Sequence, residues 1–197
     1  MNKLLRDLGL LLTEEQIQGA AKVYDIPYAS LKAVIKVESL GTGFYKDTLI
    51  PIVRFENHIF SRYTKGIYDD SHPNLSSANF TNKYNLKGIA EFHRFLLAYN
   101  LDRVNAVLST SWGIGQVMGF NHIYALGCED NPFKFVDQMF KDERSQLYIM
   151  LDFIKENNLL KHLKTQDWNA FALGYNGKAY KKNNYHIKLA AYYNEFS

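Results

Sequence analysis

The chain has 197 residues, 47 % hydrophobic, 22 % charged and 15 % aromatic, which fits one globular domain and excludes a disordered tract or a collagen-like repeat. At this length roughly 70 % of the unfolded surface can be buried, so no cross-link is needed; the single Cys128 excludes an internal disulfide and has no spaced zinc-ligand partners. Lys and Arg number 23 against 20 Asp and Glu, a net +3, and their scatter excludes a dedicated duplex-binding stripe while suiting loose attraction to an anionic polymer.

In chain order, the apolar patch Leu8 to Leu12 is short, is flanked by Asp7 and is followed by no small-residue cleavage site. No signal peptide is read there. With no apolar run near the ~20 residues of a membrane span, the expected product is soluble, held in the cytoplasm as synthesised and without stable membrane association. Thr13-Glu14-Glu15-Gln16 spells a capping box that opens a helix with Ile17, Ala20, Ala21 and Tyr24 on one face. Pro27 ends it, and a second helix from about Tyr28 carries Leu31, Val34 and Ile35. Strand signals are confined to Leu49 to Phe55, with Pro51 near the start. The stretch 67–85, rich in Ser, Asn and Asp, reads as a long surface loop. Further stripes are Phe92/Phe95/Leu96/Tyr99, Leu147/Met150/Leu151/Ile154 and Leu189/Tyr192/Tyr193/Phe196, and a short helix opens at Asp102. The expected fold class is α+β, mainly α-helical, with a small β-hairpin element around residues 43–56.

Glu38 breaks its own pattern. Positions 31, 34, 35 and 38 form one helical stripe, so a carboxylate stands on the core side of the last turn. Burial and the helix dipole both oppose negative charge there and raise the carboxyl pKa. A carboxylic acid still protonated near neutral pH is what a general acid requires. The competing reading is a Glu at a frayed helix end, bonded to a loop amide ahead of Gly41 and Gly43.

Two further clusters bear on this choice. Ser111-Trp112-Gly113-Ile114-Gly115-Gln116-Val117-Met118-Gly119 offers exposed backbone, a stacking surface in Trp112 and a hydrogen-bonding side chain in Gln116. Gly174-Tyr175-Asn176-Gly177 is the third. Sugar sites need flat aromatic faces and neutral bidentate groups, although each cluster alone could be a helix-joining turn.

In order, Glu38-Ser39, Gly113 to Met118 and Tyr175-Asn176-Gly177 resemble the marks of the lysozyme and soluble lytic transglycosylase superfamily. The chain is most similar to the N-acetylmuramidase family of phage endolysins and related bacterial proteins. Val37-Glu38-Ser39, Arg54-Phe55-Glu56-Asn57-His58 with Phe60, Asn74-Leu75-Ser76 and Asp167-Trp168 carry that likeness. It runs from about Leu12 to the C-terminus. The resemblance implies a lysozyme-like fold and hydrolysis of the β-1,4 bond between N-acetylmuramic acid and N-acetylglucosamine in peptidoglycan. It implies Glu38 as general acid and Glu56 as second carboxylate, with Tyr175 orienting the acid or the sugar. Gln116, Asn176, Ser39 and Trp112 follow as substrate contacts.

Only about a dozen residues precede Thr13, so one catalytic domain over residues 1–197 is expected, without a separate peptidoglycan-binding module and as a monomer. Export would rest on holin-type release or a secretion machine. No metal or cofactor is expected, since the six histidines lack metal-ligand spacing. His58 reads as a helix-surface histidine, Asp47 as a turn residue, and Phe44, Tyr45, Phe55 and Phe60 as core. Two other readings stay open: a lytic transglycosylase using Glu38 alone, which forms 1,6-anhydromuramic products, and a non-catalytic glycan-binding module. A nucleic-acid binder is disfavoured by the scattered charge.

Overall fold

The computed structural model describes residues 3–81 and 83–197. A short α1 (Lys3–Asp7) buries Leu5 and leads into α2 (Glu14–Val23). The Thr13 hydroxyl accepts from the Gln16 amide at 3.2 Å while Gln16 Oε1 accepts from Thr13 N–H at 3.0 Å, closing the expected capping box. Helix α3 (Tyr28–Ser39) starts directly after Pro27 and stops at Leu40, which turns left-handed with φ 58°. Helices α4 (Asn57–Tyr63), α5 (Ile89–Leu101) and α6 (Arg103–Leu108) follow, the last capped by Asp102 through the Asn105 amide at 3.0 Å.

The same device opens the C-terminal half. Asn131 caps α7 (Pro132–Lys141), Asp142 caps α8 (Glu143–Glu156) and Asp167 caps α10 (Trp168–Asn176). Between them lies α9 (Leu160–Lys164), and α11 (Tyr185–Phe196) closes the chain by lying along α3.

Strands β1 (Val53–Phe55), β2 (Thr110–Trp112) and β3 (Val117–Met118) make one antiparallel sheet in that order, with Val53 opposite Trp112 and Ser111 opposite Met118. The architecture is thus α+β and mainly helical. The β element near residues 43–56 is slighter than a two-stranded hairpin, because a single Phe44–Pro51 bridge closes it. Pro51 has no N–H to extend that ladder, and the chain between curls through Asp47 at φ 57°. β1 instead finds its partner in the glycine-rich segment 110–118, which carries no strand signal in the sequence. Gly113 makes that hairpin possible. It holds φ 68°, and a Cβ there would press on the Gln146 side chain.

Beneath the sheet, Trp112 is fully buried, edge-on to Phe95 at 5.0 Å, with its indole N–H donating to the Val107 carbonyl at 3.4 Å. Leu147, Met150, Leu151 and Ile154 of α8 are fully buried around it, as their spacing requires. Over its described residues the stretch 67–85 is irregular and largely at the surface, as read, but it is tied down at its centre. Leu75 and Ser76 are buried, and the Arg94 guanidinium donates to the Asn74 carbonyl at 3.1 and 3.2 Å and to the Phe55 carbonyl at 3.1 Å. Glu91, paired with Arg94 at 2.8 Å, accepts from the Phe55 and Leu86 amides. A polar network replaces the helix or strand that the composition could not form.

Candidate active site

Four carboxylates besides turn and surface ones are drawn inward: Glu38, Glu56, Glu91 and Glu143, and their hydrogen bonds separate their roles. Glu143, in the first turn of α8, accepts from the Leu12 amide at 2.8 Å, the Gly43 amide at 2.7 Å and the Thr42 hydroxyl at 3.2 Å. It clamps the N-terminal arm and the loop after Glu38 onto α8. One turn on, Gln146 accepts from the Ile114 amide at 2.9 Å and donates to the Met139 carbonyl at 2.7 Å, fixing the β2–β3 turn. Glu91 is equally well supplied. These are structural acceptors, and the sequence reading passed over all three residues.

Glu38 differs. At the end of α3 it receives, among the described residues, one side-chain donor, Asn176 Nδ2, at 2.9 Å. Burial therefore dominates and pushes its carboxyl up to about 7, against the pull of the Asn176 hydrogen bond and the Lys188 charge on α11. Tyr175 lies within the field of Glu38; its hydroxyl donates to the Gly115 carbonyl at 2.6 Å, and burial and the Glu38 charge hold it protonated. One turn of α10 thus joins the acid to the β2–β3 turn.

Glu56 stands between β1 and α4. Its Oε1 pairs with Arg54 Nε at 2.9 Å, and Oε2 lies 3.7 Å from His58 Nδ1. Burial raises this carboxyl too, while Arg54 and Arg94 pull it down and Glu91 adds to the rise. Burial raises the Tyr185 hydroxyl on α11, with the Glu38 charge adding to the rise and the Arg54 charge opposing it. Two depressions are built from the loop after Glu38 and from the residues around β1. One, of about 360 Å³, is lined by Leu12, Gly41, Thr42, Phe44 and Lys46; the other, of about 260 Å³, by Tyr45, Ile52, Arg54 and Leu86.

Several expected contacts are corrected. Trp112 offers no stacking face to a sugar, because the space under the sheet is filled by its ring. The Ser39 hydroxyl donates to the Ile35 carbonyl of its own helix at 3.1 Å, the usual outlet for a buried serine in a helix. Gln116, at φ 47°, has both ends of its amide engaged: Nε2 donates to the Gly113 carbonyl at 2.9 Å and Oε1 accepts from Ser111 at 3.0 Å. It staples the turn. Asn176 holds the acid through Nδ2, and its Oδ1 is buried with no hydrogen-bond partner among the described residues. His58 is not a surface residue; its side chain is 21 % exposed. Phe44, Phe55 and Phe60 are core, Tyr45 is half-buried against them, and Asp47 is an exposed turn residue.

Tyr185 and Lys188 were missed. Their signal was faint, a Tyr and a Lys three residues apart on a helix read only as amphipathic. Among the described residues no group of three or more His, Cys, Asp or Glu could hold a metal ion, and no helix is long and apolar enough to cross a membrane.

The model of the Muramidase family (N-acetylmuramidase) matches residues 27–197, beginning later than the likeness read from the sequence. Among solved structures, a Burkholderia AP3 phage endolysin superposes with a TM-score of 0.82 at 33 % identity, over 95 % of this chain and 71 % of that one. A search of curated proteins finds no match. The lysozyme-like α+β fold is thereby shown.

Proposed function

Given that the chain belongs to the N-acetylmuramidase family, we propose that it hydrolyses the β-1,4 bond between N-acetylmuramic acid and N-acetylglucosamine in peptidoglycan, with Glu38 as general acid. The carrying observation is the contrast among inward-facing carboxylates. Among the described residues Glu91 and Glu143 each collect three donors from backbone, hydroxyl or guanidinium groups, whereas Glu38 collects one and titrates at about 7, so that much of it still carries a proton near neutrality.

In this reading the Glu38 proton passes to the glycosidic oxygen as its bond to the anomeric carbon breaks. Glu56, paired with Arg54, takes a proton from the water that attacks that carbon, or shields the oxocarbenium-like transition state. Glu56 then releases its proton to solvent and Glu38 is reprotonated from solvent, which resets both carboxyls. Asn176 and Tyr175 keep the acid and the turn in register. The enzyme works as a monomer, its net +3 charge suiting an anionic wall polymer. The likeness to a phage endolysin supports action after release or delivery across the inner membrane.

A second reading is lytic transglycosylation, favoured by one observation: Glu56 is already engaged by Arg54 at 2.9 Å, as a purely structural ion pair would be. Digestion of peptidoglycan by wild type, Glu38→Gln and Glu56→Gln, with mass spectrometry of the fragments, decides between them. Reducing-end muramic products that vanish in both variants support hydrolysis. Anhydromuramic products, with Glu56→Gln active, support transglycosylation. Wall binding without fragments from wild type would leave a glycan-binding module.

A further inference from the structure

The side chain beside Glu56 has no assigned task, and its placement suggests one. Glu56 precedes α4 but does not cap it, turning its carboxylate away from that helix's amides. One oxygen meets Arg54; the other faces His58 Nδ1 at 3.7 Å. That nitrogen is buried and has no hydrogen-bond partner among the described residues. Its ring stands edge-on to Phe80 at 5.1 Å. A buried ring nitrogen left unpaired beside a carboxylate oxygen is costly, and the remaining gap to a normal hydrogen bond is under about 1 Å.

We infer that His58 is a positioning residue for Glu56, donating from Nδ1–H to the oxygen that Arg54 leaves open and so holding the carboxylate ionised and oriented as the base of the reaction. The inference rests on the hydrolytic reading of Glu56. The groups around the pair agree in sign. Burial, Arg62 on α4 and Arg54 on β1 all disfavour a charged imidazole. The ring is therefore neutral and carries one N–H, and the oxygen it faces selects the Nδ1–H tautomer. From α5, Arg94 favours and Glu91 opposes the Glu56 charge. His58 also lines a depression with Lys65 and Asp69. A donor to the charged form of Glu56 opposes the rise that burial imposes, widening the pH range in which the base is ready.

The test is the pH profile of kcat/KM on soluble peptidoglycan fragments for wild type, Glu56→Gln, His58→Phe and His58→Asn. Phe keeps a ring against Phe80 without an N–H; Asn places an amide N–H where Nδ1 stood. The expected result is an acidic limb moved upward by about 0.5–1 pH unit in His58→Phe, a three- to tenfold loss on that limb. The alkaline limb set by Glu38 stays, and His58→Asn restores the profile. A uniform loss at every pH would reduce His58 to packing and overturn the inference. If Glu56→Gln keeps full activity, the hydrolytic role of Glu56 falls first, which is a separate result. Nitrogen NMR of the wild-type imidazole gives a check independent of any variant's folding: Nδ1–H supports the inference, and Nε2–H contradicts it.

Discussion

Replacing Glu38 by Gln should remove activity and yet stabilise the protein, by an amount that depends on pH in a specified way. Gln keeps the side chain's shape and still accepts from Asn176 Nδ2, so the neutral form is closely mimicked. The native carboxyl titrates at about 7, against 4.5 for its ordinary value. At about 1.4 kcal/mol per pH unit, ionising it in place costs the fold about 3 kcal/mol, an upper figure because the side chain is partly exposed. The sign follows from proton counting. Between pH 4.5 and 7 the folded protein holds a proton that the unfolded chain releases, so the stability linked to this group is full below 4.5 and is lost as pH rises through 7. Wild type and Glu38→Gln should therefore melt together at pH 4 and diverge by about 6–12 °C at pH 8.5, the variant higher, at about 2–4 °C per kcal/mol for a chain this long. Paired calorimetric melts at the two pH values check this, and all other titrating groups cancel in the difference. A gap that does not change with pH would refute the reasoning. A variant less stable at pH 8.5 would show instead that Glu38 is a structural acceptor like Glu143.

Asn176→Ala removes the one side-chain donor holding Glu38 down, so the alkaline limb of activity should move to higher pH while the rate at the optimum falls; a carbon-NMR titration of Glu38 reads the shift directly, and an unmoved carboxyl would discount the 2.9 Å contact. Glu143→Ala orphans the Leu12 and Gly43 amides and the Thr42 hydroxyl, and at about 1–3 kcal/mol per buried unpaired group it should cost about 3–5 kcal/mol by denaturant unfolding. Trp112→Phe should lower stability by about 1–3 kcal/mol and leave KM unchanged, since its ring is buried; a selective rise in KM would return Trp112 to the cleft.

What could be read in the sequence was what local chemistry decides. The Thr13 box, the Pro27 boundary, the Asp102 cap and the α8 stripe each depend on neighbours within a turn or two, and each stands where its spacing puts it. Partners distant in the chain were not readable. Trp112 and Gln116 sit in a segment whose glycines suggest exposed backbone, but β1 and Gln146, 32 residues beyond Ile114, cover it. Asn176 has the chemistry to bind a sugar amide and is instead committed to a carboxylate 138 positions away. Composition names what a side chain can bond, and only the fold decides which partner arrives.

The rule that picked out Glu38, a charged residue on an apolar stripe, is consequently weaker than it looked and still points the right way. Applied evenly it also selects Glu91 and Arg94 beside Phe92 and Phe95, and Glu143 and Gln146 beside Leu147 and Met150. Those residues are buried because they satisfy backbone groups left open outside regular ladders: Leu12 and Gly43 for Glu143, Ile114 and Met139 for Gln146, and Phe55, Asn74 and Leu86 for Glu91 and Arg94. Glu38 receives far fewer donors than its burial calls for, and the imbalance appears as a raised pKa. A fold retains such a cost where the proton itself is useful. The discriminating quantity is therefore the number of donors a buried carboxylate collects, which no single helix can reveal because the donors come from other elements.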